Sequence, residues 1–136
     1  ELMRSWGPAK HGSTFGGNPV ACAAALATLD LVEDSLAANS QRIGDYLQRG
    51  LVDLQRRCPQ IREVRGRGLM IGVEFESHAV AYEVEQAAFR RGLLVLTCGP
   101  ASLRLAPPLT VTERQADIAL TILEAAIAEA APVPRA

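Results

Sequence analysis

A change of hydrophobic period near residue 58 constrains this chain more than any other feature. Before it, Ile43, Leu47, Leu51 and Leu54 recur at three- and four-residue spacing, with Arg42, Asp45, Arg49, Asp53 and Arg56 between them. This is the apolar stripe of an amphipathic helix. The helix stops by Arg57, because Cys58-Pro59 pushes the backbone out of the helical region. After it, "LMIGVEFE" is β-rich with a partial alternation, and Gly66 and Gly68 suit a tight turn or bulge. Helix must therefore pack on sheet.

The flanking segments extend that pattern. Gly7-Pro8 is a turn signal. Asn18 reads as a helix N-cap, and Pro19 fills the first helical position, where a missing N–H costs nothing. "VACAAALATLDLVED" follows as helix. Its alanines at 21, 24, 25 and 27 permit close approach of another backbone, and Leu26, Leu29 and Val32 form a stripe. A break is expected between Ser35 and Ser40. Residues 79–91 return to helical spacing through Val80, Val84, Ala87 and Ala88, ending at Gly92 as C′. "LLVLT" and "SLRLA" read as two strands around the turn "CGPA". Thr112 and Gln115 form a capping-box pattern, followed by Ala116, Ala119, Leu120, Leu123 and Ile127 on one face. The tail "APVPRA" is expected to fray. The order predicts an α+β fold: a small, mainly antiparallel sheet with helices on one side.

Composition removes several function classes. A length of 136 residues suits one compact core, and 49% hydrophobic against 21% charged residues is the balance of a globular chain. A net charge of −1 gives no electrostatic reason to expect nucleic acid or an anionic membrane. No apolar run approaches the roughly 20 residues of a membrane span, and no signal-peptide pattern opens the chain. Cys22, Cys58 and Cys98 are odd in number and widely spaced, which argues against a disulfide framework or zinc site and for reduced thiols in a cytoplasm. The chain opens on Glu1, within a stretch that already reads as helix or turn, so a piece of something longer is expected. Lys10 is its one lysine, against thirteen arginines.

Two places carry candidate chemistry. In "HGSTFGGNP", Gly12, Gly16 and Gly17 let the backbone approach a ligand, Ser13 and Thr14 add hydroxyl donors, and the following helix start adds unpaired N–H groups at 18–20. These parts favour a phosphate; the alternative is that the glycines only shape a turn. Neither a Walker pattern nor a G-x-G-x-x-G is present. Arg104 lies inside an apolar strand after a Gly-Pro turn. It either points to solvent on an edge strand or anchors a carboxylate with a two-pronged charge-assisted bond. Arg65 and Arg67 read as a solvated hairpin edge, and Glu74 and Glu76 as facing water or arginines. His11 and His78 have no partner at ligand spacing, so no metal site is assigned. Trp6 reads as a packing residue, and no Ser–His–Asp arrangement can be assembled.

"HGSTFGGNPVACAAALATLDLVE", "VRGRGLMIGVEFE", "GLLVLTCGP" and "LRLAPPLTVTERQ" together resemble the C-terminal third of class III aminotransferases, pyridoxal-phosphate enzymes of fold type I. The resemblance covers Glu1 to about Ala130. It implies a phosphate loop and long interdomain helix over 1–35, a C-terminal small domain over 36–131 and a tail over 132–136. It implies that Thr14, with Ser13 beside it, binds the phosphate of the partner subunit's pyridoxal 5′-phosphate, and that Arg104 holds the substrate carboxylate. The pairing of "TCG" with "RLAPPLT" resembles 4-aminobutyrate aminotransferases most, with acetylornithine and ornithine aminotransferases sharing the pattern. An amino group would then pass from an ω-amino acid to a 2-oxo acid such as 2-oxoglutarate, in a cytoplasmic homodimer or tetramer. Only "PAS" and Leu103 separate "CG" from Arg104, a shorter segment than relatives often carry. The family's Schiff-base lysine lies upstream of the matched region, and Lys10 reads as a surface residue. No catalytic residue is therefore assigned, and the chain alone is expected to be inactive. The rival expectation is a non-catalytic α+β module that binds a small carboxylate or supports assembly.

Overall fold

The computed structural model describes Ser5, Gly7 and residues 12–130. The readings placed on Trp6, Lys10, His11 and the tail lie outside those residues. The chain divides into two compact units, Glu1–Ser35 and Leu36–Ala136.

In the first unit, helix α1 (Pro19–Leu31) starts as its sequence dictates, with Asn18 at the N-cap and Pro19 behind it. None of its residues is buried. A π-helical turn follows at Val32–Leu36, and α2 runs over Ala37–Arg57. The break expected near Ser35 to Ser40 takes the form of this π-helical turn, which includes Ser35, and the chain stays helical through 37–40. Serine and asparagine break helices when their side chains bond their own backbone. Here two of them are engaged elsewhere: Asn39 donates to the carbonyls of Leu109 and Val111, and Ser40 Oγ accepts the Leu69 N–H.

The second unit is a four-stranded antiparallel sheet covered on one face by helices. The strands are β1 (Ile61–Arg67), β2 (Met70–Phe75), β3 (Leu96–Cys98) and β4 (Ser102–Leu105), in the order β1-β2-β4-β3. Helix α4 (Glu113–Ala130) packs against both α2 and α3 (His78–Arg90). Ile43, Leu47, Leu51 and Leu54 of α2 meet Ile71, Val73 and Phe75 of β2 and Leu103 and Leu105 of β4 in one core. Each fully buried side chain of this size stabilises the fold by about 1.5–3 kcal/mol.

Two glycines set how closely α2 meets the hairpin. Gly68 turns the chain at φ +53°, a conformation other residues rarely adopt. A Cβ on Gly44 would lie 2.2 Å from the Gly68 carbonyl oxygen, so helix and turn touch backbone to backbone.

The helix ends follow the sequence reading. Gly92 takes φ +85° after α3, and Thr112 and Gln115 exchange the two bonds of a capping box, 3.0 and 3.3 Å. "LLVLT" is a shorter strand than expected, because the Leu93 N–H returns to the Ala88 carbonyl and closes the helix instead.

Candidate functional site

The face of the sheet away from the helices is where Arg104 lies. Side chains alternate along β4, so Leu103 and Leu105 enter the core while Ser102 and Arg104 share the opposite face. Arg104 pairs in register with Gly72 of β2 and Leu96 of β3. It is exposed, and among the described residues it joins no ion pair. It lines a cleft of about 570 Å³ with Glu85, Gln86 and Phe89 of α3 and with Leu94 and Leu96. Apolar walls with one unpaired guanidinium suit a small carboxylate carrying an aliphatic chain.

Arg65 is exposed on the edge strand β1, as expected of a solvated hairpin edge, and it also holds three side-chain partners. Its Nη1 donates to Glu74 Oε2 at 2.5 Å and to Glu63 Oε2 at 3.2 Å, and its Nη2 donates to Ser102 Oγ at 3.0 Å. The bond to Glu74 pushes the Arg65 pKa upward. The Arg65 stem lies over Gly72, its Cγ 3.8 Å from where a Cβ would stand. Ser102 is buried, so its hydroxyl needs this donor. At the hairpin's far end, Glu76 pairs with Arg62 at 3.7 Å.

Sequence reasoning missed Ser102 and Glu85 altogether. Glu85 Oε2 accepts the Thr97 N–H at 2.6 Å on the free edge of β3. A glutamate on a mixed helix carries no mark of such a role.

The glycine loop belongs to the first unit. Gly17 takes φ +77°, a conformation that favours glycine, and a Cβ on Gly16 would press to 3.1 Å from Ser13 Cβ. The helix start offers less to an anion than its sequence suggests. Asn18 Oδ1 accepts from the N–H groups of Val20 and Ala21, the Cys22 N–H reaches the Asn18 carbonyl, and Pro19 has none. What remains is Ser13 and Thr14, both exposed and without a hydrogen-bond partner among the described residues. Two free hydroxyls on a glycine turn fit the phosphate end of pyridoxal phosphate. They fit that end only, because the described residues contain no lysine.

Two other features are quickly placed. Among the described residues, no cluster of His, Cys, Asp or Glu could hold a metal ion, and no helix is long and apolar enough to cross a membrane. An apolar hollow of about 330 Å³, between the segment after β4 and α4, offers no charged group.

The helix-backed four-stranded antiparallel sheet has its counterparts in pyridoxal-phosphate-dependent aminotransferases of fold type I. The family model for class-III aminotransferases matches residues 1–127, and the chain belongs to that family. It is 46% identical over 125 residues to an acetylornithine aminotransferase of Synechocystis sp., covering 89% of this chain and 29% of that one. It is 44% identical over 121 residues to ornithine aminotransferase 2 of Staphylococcus aureus, covering 88% and 30%. The structure superposes with a TM-score of 0.80 on an amine transaminase from an uncultivated Pseudomonas species, solved in its PLP-bound form. That match is 37% identical and covers 90% of this chain and 30% of the other. The chain thus spans less than a third of the length of the curated relatives it matches.

Proposed function

We propose that this chain is the C-terminal portion of a pyridoxal-phosphate-dependent aminotransferase, and that it supplies the substrate-carboxylate anchor and one phosphate contact. The observation that carries the proposal is Arg104: a strand-borne guanidinium, unpaired, on the wall of a cleft with apolar sides. Held there, a 2-oxo acid or amino acid is fixed at its carboxylate end, so its reacting carbon is oriented rather than merely bound. Ser13 and Thr14 would donate to a phosphate, Thr14 as the main contact. Bound pyridoxal phosphate supplies the electron sink for amino transfer.

The amino donor is an ω-amino acid. The acetylornithine and ornithine aminotransferases among its relatives favour acetylornithine or ornithine over 4-aminobutyrate as that donor, and 2-oxoglutarate suits the acceptor role. The enzyme would act as a homodimer or a pair of dimers, in a cytoplasm where Cys22, Cys58 and Cys98 stay as free thiols. The 136-residue chain alone would not turn over.

A donor panel tests this. The enzyme carrying this chain is incubated with 2-oxoglutarate and either acetylornithine, ornithine or 4-aminobutyrate, and glutamate is measured. The expected order places acetylornithine or ornithine first. Glutamate formation from none of the three contradicts the proposal, and a clear preference for 4-aminobutyrate contradicts the donor assignment alone. Thr14→Ala is expected to weaken pyridoxal phosphate about tenfold, the worth of one bond to a charged group, as read by fluorescence titration.

A further inference from the structure

Among the described residues Arg104 is unpaired although carboxylates flank it. Glu74 is on β2, two residues from the register partner of Arg104 and on the same face of the sheet. Glu85, on α3, lines the same cleft as Arg104. An exposed guanidinium with such neighbours would pair internally and close itself to a ligand. Both acids are engaged elsewhere. Arg65 holds Glu74 at 2.5 Å, and the same guanidinium is tied to Ser102 on β4 at 3.0 Å and to Glu63 at 3.2 Å. Glu85 is held at 2.6 Å by the Thr97 N–H.

We infer that Arg65 is a positioning residue for the carboxylate anchor: by holding Glu74 in a clamp across three strands, it leaves Arg104 open to a carboxylate from outside the chain. The inference rests on the proposed role of Arg104 and deepens it. Gly72 stands between Arg65 and Arg104 in the register of the sheet, so no side chain separates the two arginines in that row. Glu85 is secured by a backbone donor that no side-chain substitution removes, so Arg65 is the half of the arrangement that mutation can open.

The test is a double-mutant cycle in the enzyme carrying this chain, read as the Michaelis constant for 2-oxoglutarate. Arg65→Gln keeps an amide donor for Ser102 and releases Glu74. It is expected to raise the constant about three- to fivefold, the range of an exposed ion pair, with kcat little changed. Glu74→Gln alone should leave the constant within about twofold of the parent, and adding it to Arg65→Gln should restore the parent value. That non-additivity separates competition for Arg104 from a simple loss of positive field, which would give additive changes.

An unchanged constant in Arg65→Gln, or additive effects, overturns the inference. Arg65→Met serves as the second variant if Arg65→Gln does not fold, since its apolar stem still lies over Gly72. Arg104→Ala is run alongside. If it leaves the constant unchanged, the anchor reading itself fails. If it raises the constant while Arg65→Gln does not, only the positioning role fails.

Discussion

Helices α1 and α2 make opposite use of apolar sequence. Helix α1 carries a single charged residue, Asp30, and buries nothing. Helix α2 carries six charged residues and buries Ile43, Gly44, Leu47, Leu51 and Leu54. The more apolar helix is the one that buries nothing, so phase decides and amount does not. In α2 the apolar residues fall on one stripe and the charges on the other, so the helix has one side to bury and one to leave in water. In α1, alanine, valine and leucine are spread around the axis, a pattern suited to burial on several sides at once. Leu26 and Leu29 remain 64% and 55% exposed. One unit therefore contains the partners its sequence asks for, while the helix of the other does not find them among the described residues.

Substitutions can break or sharpen this contrast. Leu47→Ala in α2 is expected to cost about 2–5 kcal/mol, through lost burial and a residual cavity, in urea unfolding followed by circular dichroism. Gly44→Ala should cost about 1–3 kcal/mol in the same assay, because its Cβ has no room beside the Gly68 carbonyl. Thr112→Ala, which removes one half of a capping box, should cost about 1 kcal/mol. Leu29→Ala in α1 should change stability by less than about 0.5 kcal/mol. A loss at Leu29 as large as that at Leu47 would erase the contrast. The same exposed leucines should drive self-association of the isolated chain. Sedimentation velocity checks this, with a mass that rises with concentration expected and a constant monomer mass contradicting it.

The sequence was most legible where a single residue fixes a backbone state. Asn18, Gly92 and the Thr112–Gln115 pair announce helix ends through their own local bonds, and the structure places them there. The buried stripe of α2 could be read for the same reason: period alone assigns it. The interruption near Ser35 was legible, but the helical course of 37–40 was not, because Asn39 and Ser40 turn their side chains to residues distant in sequence. Arg65 was legible as a solvated hairpin edge but its partners were not, since they arrive from β2 and β4 only once the sheet forms. The helix start after the glycine loop seemed to offer free donors, yet the residue that caps it also consumes them. For Arg104, the strand position was visible. Its unpaired state, and the cleft beside it, required the packing of α3 against β3.

The claim on which the functional account turns is that Arg104 grips a carboxylate rather than supporting the sheet. An acceptor without that group tests it directly. In the enzyme carrying this chain, Arg104→Ala is assayed with 2-oxoglutarate and, separately, with a simple aldehyde. The account requires the Michaelis constant for the 2-oxo acid to rise roughly tenfold or more, the worth of a charge-assisted bond, while that for the aldehyde stays put. Equal changes for both acceptors, or none for either, would contradict it.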